Sequence, residues 1–119
     1  MNTPQIANRL VELCKEGQWE EAQTELYATD AVSIEPEASP AFDKETKGLE
    51  AIVEKGKKFD GMVDTLHLVR VSEPLVTPSA IAFTLEMDIT MKGKERETWT
   101  ELCLYQVKDE KIVSEQFFI

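Results

Sequence analysis

The stretch 101–118, ELCLYQVKDEKIVSEQFF, reads as two strands joined by a turn at Lys108-Asp109-Glu110. Each arm alternates side chains with the period of a pleated strand, and turn-forming residues separate them. Glu101 and Glu115 fall among Leu, Cys, Tyr, Val and Phe. A carboxylate in such company needs a partner, a proton or a pocket, because burying it bare is costly.

Working outward, ERETWTELCLYQV (95–107) continues the first arm back to a tight turn at Lys92-Gly93-Lys94. AIAFTLEMDITM (80–91) precedes that turn, and MVDTLHLVRVS (62–72) comes before it across a bend at Pro74 and Pro78. With KIVSEQFFI (111–119) last, the second half is an antiparallel meander. A register through the two turns sets Asp88 opposite Glu97, Glu86 opposite Trp99, Thr84 opposite Glu101, Cys103 opposite Glu115 and Glu101 opposite Phe117. Paired and alternate residues share a face. One face then carries Thr84, Glu86, Asp88, Trp99, Glu101, Cys103, Tyr105, Val113, Glu115 and Phe117. The other carries Ile81, Phe83, Leu85, Met87, Ile89, Leu102, Leu104, Ile112 and Phe118. A slip of one residue would turn a whole strand over. The residues alone leave open which face meets the rest of the protein, and the apolar one is the simpler choice.

The first half is helical. Thr3-Pro4 supplies a hydroxyl cap and a proline in the first turn, and Ile6, Leu10, Leu13 and Cys14 recur at helical spacing up to Gly17. WEEAQTELY (19–27) follows, with Trp19, Ala22 and Leu26 on one stripe. DAVSIEPE (30–37) is a short strand stopped by Pro36, and EASPAFDKETKG (37–48) is a loop. GLEAIVEKGKKFDG (48–61) is a third helix with Leu49, Ile52, Val53 and Phe59 inward and its lysines outward. Helices early and a meander late make an α+β plan in a single domain, 1–119.

A formal net charge of -10 argues against nucleic acid and against an anionic membrane surface. With 42% apolar and 30% charged residues the composition is that of an ordinary globular domain. No leader-like or bilayer-spanning run stands out, so the expected compartment is the cytoplasm. Cys14 and Cys103 lack ligand spacing and read as buried, reduced thiols. No loop gathers close-spaced metal ligands, no nucleophile elbow or phosphate loop is present, and no cofactor is expected.

The order of elements, with LYATDAVSIEP (26–36), KGLEAI (47–52) and ELCLYQVKDEKIVSEQFF, resembles the SnoaL-like polyketide cyclase and ketosteroid isomerase group of the nuclear transport factor 2-like superfamily. The resemblance covers the whole chain. It implies a cone in which a curved sheet wraps three helices around a pocket, so that the mixed face turns inward and the apolar face outward. It also implies an acid–base apparatus: Glu35, directly before Pro36, stands at the place of the general base, and Glu101 at that of a protonated acid. The tyrosine of that group's first helix is missing, since this chain has Leu10 and Val11 there. Steroid isomerisation is therefore disfavoured, and cyclisation stays open.

The pocket candidates beside these two acids are His67, Asp88, Trp99, Tyr105, Glu115 and Phe117. Alternation alone does not assign a face to His67. Carboxylates crowded in low dielectric cannot all ionise, so one of them should hold a proton near neutrality. The competing reading pairs them with Arg70, Arg96 and lysines. Three uses fit: an isomerase or cyclase acting on a neutral hydrophobic substrate, a non-catalytic module for a hydrophobic or cationic small molecule, or a dimerising scaffold. An outward apolar face would be covered by a homodimer partner.

Overall fold

The computed structural model describes residues 1–119. Helix α1 (Thr3–Lys15) starts one residue earlier than Thr3-Pro4 suggests. Asn2 caps it, and a reciprocal bond with Gln5 frees Thr3 to donate its hydroxyl to Pro78 O at 2.8 Å. Gly17, at φ 69°, ends α1: its N–H reaches Cys14 O and the next one reaches Leu13 O. Helix α2 (Trp19–Leu26) leads directly into β1 (Tyr27–Ile34).

The loop after β1 holds a short strand the sequence did not announce, β2 (Glu45–Lys47), which pairs antiparallel with Val32–Ile34. Helix α3 (Leu49–Met62) follows, then β3 (Val63–Val71), β4 (Leu75–Val76), β5 (Ala80–Met91), β6 (Arg96–Lys108) and β7 (Lys111–Phe118). The sheet order is β2-β1-β7-β6-β5-β3, with β4 on β5. Only β1 and β7 run parallel; their pairing brings the first strand of the chain against its last. The three helices pack on one face of this curved sheet, over a core of Ile6, Leu10, Leu13, Ile52, Ile81, Ile89 and Ile112. No helix is long and apolar enough to cross a membrane.

Two turns reset the strand faces. Across the first turn Thr90 lies opposite Arg96 rather than Glu95, one residue of register from the expected pairs, so Met87 lies opposite Trp99 and Leu85 opposite Glu101. The whole of β5 is therefore inverted relative to the expected register. Ile81, Phe83, Leu85, Met87 and Ile89 face the helices and are buried, while Thr84, Glu86 and Asp88 point to the outer surface. The second turn is Asp109-Glu110, two residues rather than three, and a bulge at Val113 of β7, opposite the Gln106–Val107 step, adds a further residue. These shifts cancel in parity. Tyr105 lies opposite Glu115 and Cys103 opposite Phe117, so the mixed side of β6 and β7 does face inward. Ile112, expected outside, is drawn into the core beside Val107. The continuous apolar outer face thus does not exist. What remains outside is a smaller patch around Leu75, Leu102 and Phe118.

Candidate functional site

A cavity of about 950 Å³ opens between the helices and the inner faces of β5, β6 and β7. Its apolar wall includes Leu10, Trp19, Phe59, Met87, Trp99 and Phe117. Phe59 and Trp99 meet at 6.1 Å between ring centroids, which ties α3 to β6 on one side of the cavity. Among the ionisable groups that line it are Glu35, Lys55, Glu101 and Glu115.

Three of them belong to one hydrogen-bonded chain. Tyr27 opens β1 and sends its phenol into the interior, where the hydroxyl donates to Glu115 Oε1. Ser33, on the inward side of the same strand, donates to Glu115 Oε2 at 2.6 Å. Lys55 donates to Ser33 Oγ at 2.6 Å and to Glu35 Oε1 at 3.0 Å. Glu35 lies just past β1, its backbone N–H fixed to Lys44 O at 2.7 Å. Each member that would be costly alone in an apolar interior has a partner.

Glu101 stands beside this chain without a bond from an ammonium or hydroxyl; its one side-chain hydrogen-bond partner is the Cys103 thiol at 3.9 Å. Burial, and then the negative charges of Glu35 and Glu115, push its carboxyl up to about 7, against the opposing pull of Lys55. Burial also raises Glu115, while the bonds from Ser33 and Tyr27 hold it back. Burial disfavours the thiolate at both cysteines. Burial pushes Cys14 up to about 12, helped by Glu115 and Glu101, and burial raises Cys103 as well.

Of the residues singled out from sequence, Glu35, Glu101, Trp99, Tyr105, Glu115 and Phe117 line the cavity. Asp88 and His67 do not, and their places are corrections. Asp88 moved outside with the inversion of β5, where Arg96 grips it with bonds of 2.8 and 2.7 Å that hold its carboxyl below the usual range. His67 sits at a bulge between Leu66 and Leu68; its ring is exposed and lies 2.7 Å from Thr90 Oγ1 on the outer side. The expectation that the lysines of α3 point outward fails at Lys55, whose side chain is only 14% exposed.

Sequence reasoning missed Tyr27, Ser33 and Lys55. Helical spacing from Ile52 through Lys55 to Phe59 would have found the lysine, and alternation from Ala31 through Ser33 to Glu35 the serine. The first-helix position lacking a tyrosine is filled by buried Leu10, and a phenol enters the cavity wall from β1 instead. One polar atom on this wall has no partner: Gln23 Oε1 is buried and unbonded. No three His, Cys, Asp or Glu side chains converge so as to hold a metal ion. What the arrangement offers is a carboxyl that titrates near neutrality, beside a carboxylate–ammonium pair, in an apolar hollow.

The profile of the SnoaL-like domain matches residues 1–119. Among solved structures, a Mesorhizobium loti protein named for its likeness to SnoaL polyketide cyclases is 31% identical, with a TM-score of 0.89 over 98% of this chain and 97% of its own. A Xanthomonas campestris protein with a cystatin-like fold shares 19% identity and a TM-score of 0.83, over 99% of this chain and 90% of that one. A Catenulispora acidiphila protein of ketosteroid isomerase-like fold, solved in complex with trimethylamine, shares 18% identity and a TM-score of 0.75 over 98% and 86% of the two chains. No curated protein matches significantly. The fold is that of the cystatin-like, nuclear transport factor 2-like group, and by profile and identity the chain belongs to the SnoaL-like family.

Proposed function

We propose that the cavity binds a neutral, hydrophobic molecule carrying a carbonyl and moves a proton on the carbon next to it, as an isomerase or cyclase does. The observation that carries this reading is the Glu101 carboxyl, raised to about 7 beside the charged Glu35. An acid–base pair works best when its groups titrate close to the working pH. In the proposed step Glu35 takes the proton from carbon, so the C–H bond breaks and its electron pair moves onto the carbonyl oxygen. Protonated Glu101 donates a hydrogen bond to that oxygen, and Glu35 returns the proton to another carbon.

A test uses bicyclic enones and cyclic diketones in D2O, with loss of the α-proton signal followed by NMR. The wild type should catalyse exchange, and Glu35→Gln, which removes the base, and Glu101→Leu, which removes the donor, should each slow it by about a hundredfold or more. Binding without exchange in the wild type would sink the catalytic reading. It would leave the second one, a non-catalytic module for a hydrophobic or cationic guest. That second reading draws support from Tyr27, whose phenol is already committed to Glu115.

We also propose a homodimer through the outer sheet face, now with a narrower interface. Leu75 pairs with Ala82 and Ala82 with Leu104, while Leu102 pairs with Phe118 in a neighbouring row. Leu102→Asp with Phe118→Ser should turn a dimer into a monomer in sedimentation. A wild type that sediments as a monomer at high concentration removes the proposal.

A further inference from the structure

An ammonium has three N–H donors. Lys55 spends two, on Glu35 Oε1 at 3.0 Å and Ser33 Oγ at 2.6 Å. The third has no protein acceptor, and Lys55 lines the cavity. Its position is fixed from behind, because Ser33 accepts from Lys55 while giving its own proton to Glu115. The two nearby lysines of α3 are used otherwise: Lys57 pairs with Glu20 and Glu54, and Lys58 donates to Ala41 O.

We infer that Lys55 is the second donor to the ligand oxygen, alongside Glu101, and that the cavity selects molecules whose oxygen can carry negative charge, an enolisable carbonyl or a phenol. This rests on the acid–base reading above. Before reaction the ammonium charge is balanced by the Glu35 carboxylate. When Glu35 takes the proton from carbon it becomes neutral, and the negative charge appears on the ligand oxygen instead. Lys55 loses one anionic partner as the other forms. Its attraction to the oxygen therefore grows along the reaction path, which is the kind of interaction that lowers a barrier rather than merely tightening binding. The low-dielectric, aromatic wall around it increases the effect.

The probe is 4-nitrophenol, which is not turned over and whose absorbance reports its ionisation. Bound to the wild type it should ionise at lower pH than in water. Lys55→Met should move that ionisation upward by about tenfold or more in the equilibrium constant, Lys55→Arg should retain most of the effect, and Glu35→Gln should move it downward by removing the competing carboxylate. Equal ionisation in wild type and Lys55→Met, or uptake of the neutral phenol alone by the wild type, overturns the inference. If circular dichroism shows Lys55→Met unfolded, Glu35→Gln decides, and an unchanged ionisation there overturns it too. Failure of α-proton exchange with a normal phenolate shift would condemn the acid–base reading and spare Lys55; the opposite pair of results would do the reverse.

Discussion

The Tyr27 phenol donates to the Glu115 carboxyl, joining two residues 88 positions apart and closing the parallel seam between β1 and β7. Both groups are buried, at 5% and 3% exposure, so neither can turn to water if the other is removed. Tyr27→Phe should therefore cost about 1–3 kcal/mol of stability, the penalty for an acceptor stripped of its donor in the interior. It should also raise the Glu115 pKa further, since the phenol is one of the bonds holding it back. Urea denaturation checks the first effect and carboxyl NMR the second. An unchanged midpoint would show that the bond is not formed in solution.

Glu101 makes stability depend on pH with a definite sign. Its native carboxyl titrates at about 7, above the ordinary 4.5, so the folded state holds the proton more tightly than the unfolded chain. The stabilisation from that proton is complete below 4.5 and is lost as pH rises through about 7. Stability should fall across that window by at most about 3 kcal/mol, from the size of the shift. Glu101→Gln mimics the protonated acid. It should match the wild type near the acid end and exceed it above neutrality. Parallel pH profiles for the two proteins, measured by denaturation, would refute the assignment.

Much of this was legible, and the failures have local causes. Alternation grouped the odd-numbered apolar positions of β5 on one face, but that face was expected outside and lies inside. The mixed side of β6 faces inward as expected. The relation between them did not follow, because it hangs on one residue of register across the Lys92–Lys94 turn, which composition does not settle. That single residue takes Asp88 out of the site, and a bulge that no propensity marks does the same to His67. Strand β2 is three polar residues, and it is a strand only because the edge of β1 offers it partners. Glu35 and Glu101 do line the cavity, but that direction followed from the family resemblance, because alternation alone left the choice of face open.

Gln23 carries the one buried side-chain oxygen without a partner, packed 3.7 Å from where a side chain on Gly56 would begin. Leaving such an acceptor unbonded costs about 1–3 kcal/mol. Methionine has a similar length and no such demand, so Gln23→Met should raise stability by about 1 kcal/mol, read as a higher urea midpoint at constant slope. A destabilised variant would mean that the oxygen has a partner in solution.

The turn between β6 and β7 holds Asp109 at φ 51° and Glu110 at φ 63°. Two left-handed residues in a two-residue hairpin match the twist of the flanking strands, which is why this geometry wins over the three-residue loop that the sequence suggested. The side chains oppose it, because a Cβ in that region crowds the following carbonyl by roughly 1–2 kcal/mol per residue. Asn and Gly relieve the strain at these positions, less some entropy for Gly. Asp109→Asn with Glu110→Gly should thus stabilise the protein by about 1 kcal/mol. The double variant gives up the ion pair between Glu110 and the N-terminal amine of Met1 at 3.4 Å, but that pair is exposed and contributes little. Because the hairpin sets the register that brings Tyr105 opposite Glu115, the double variant should leave the Glu101 titration where it is. A gain in stability together with a moved Glu101 pKa would mean that the turn also strains the cavity, and that the two ends of β6 are coupled.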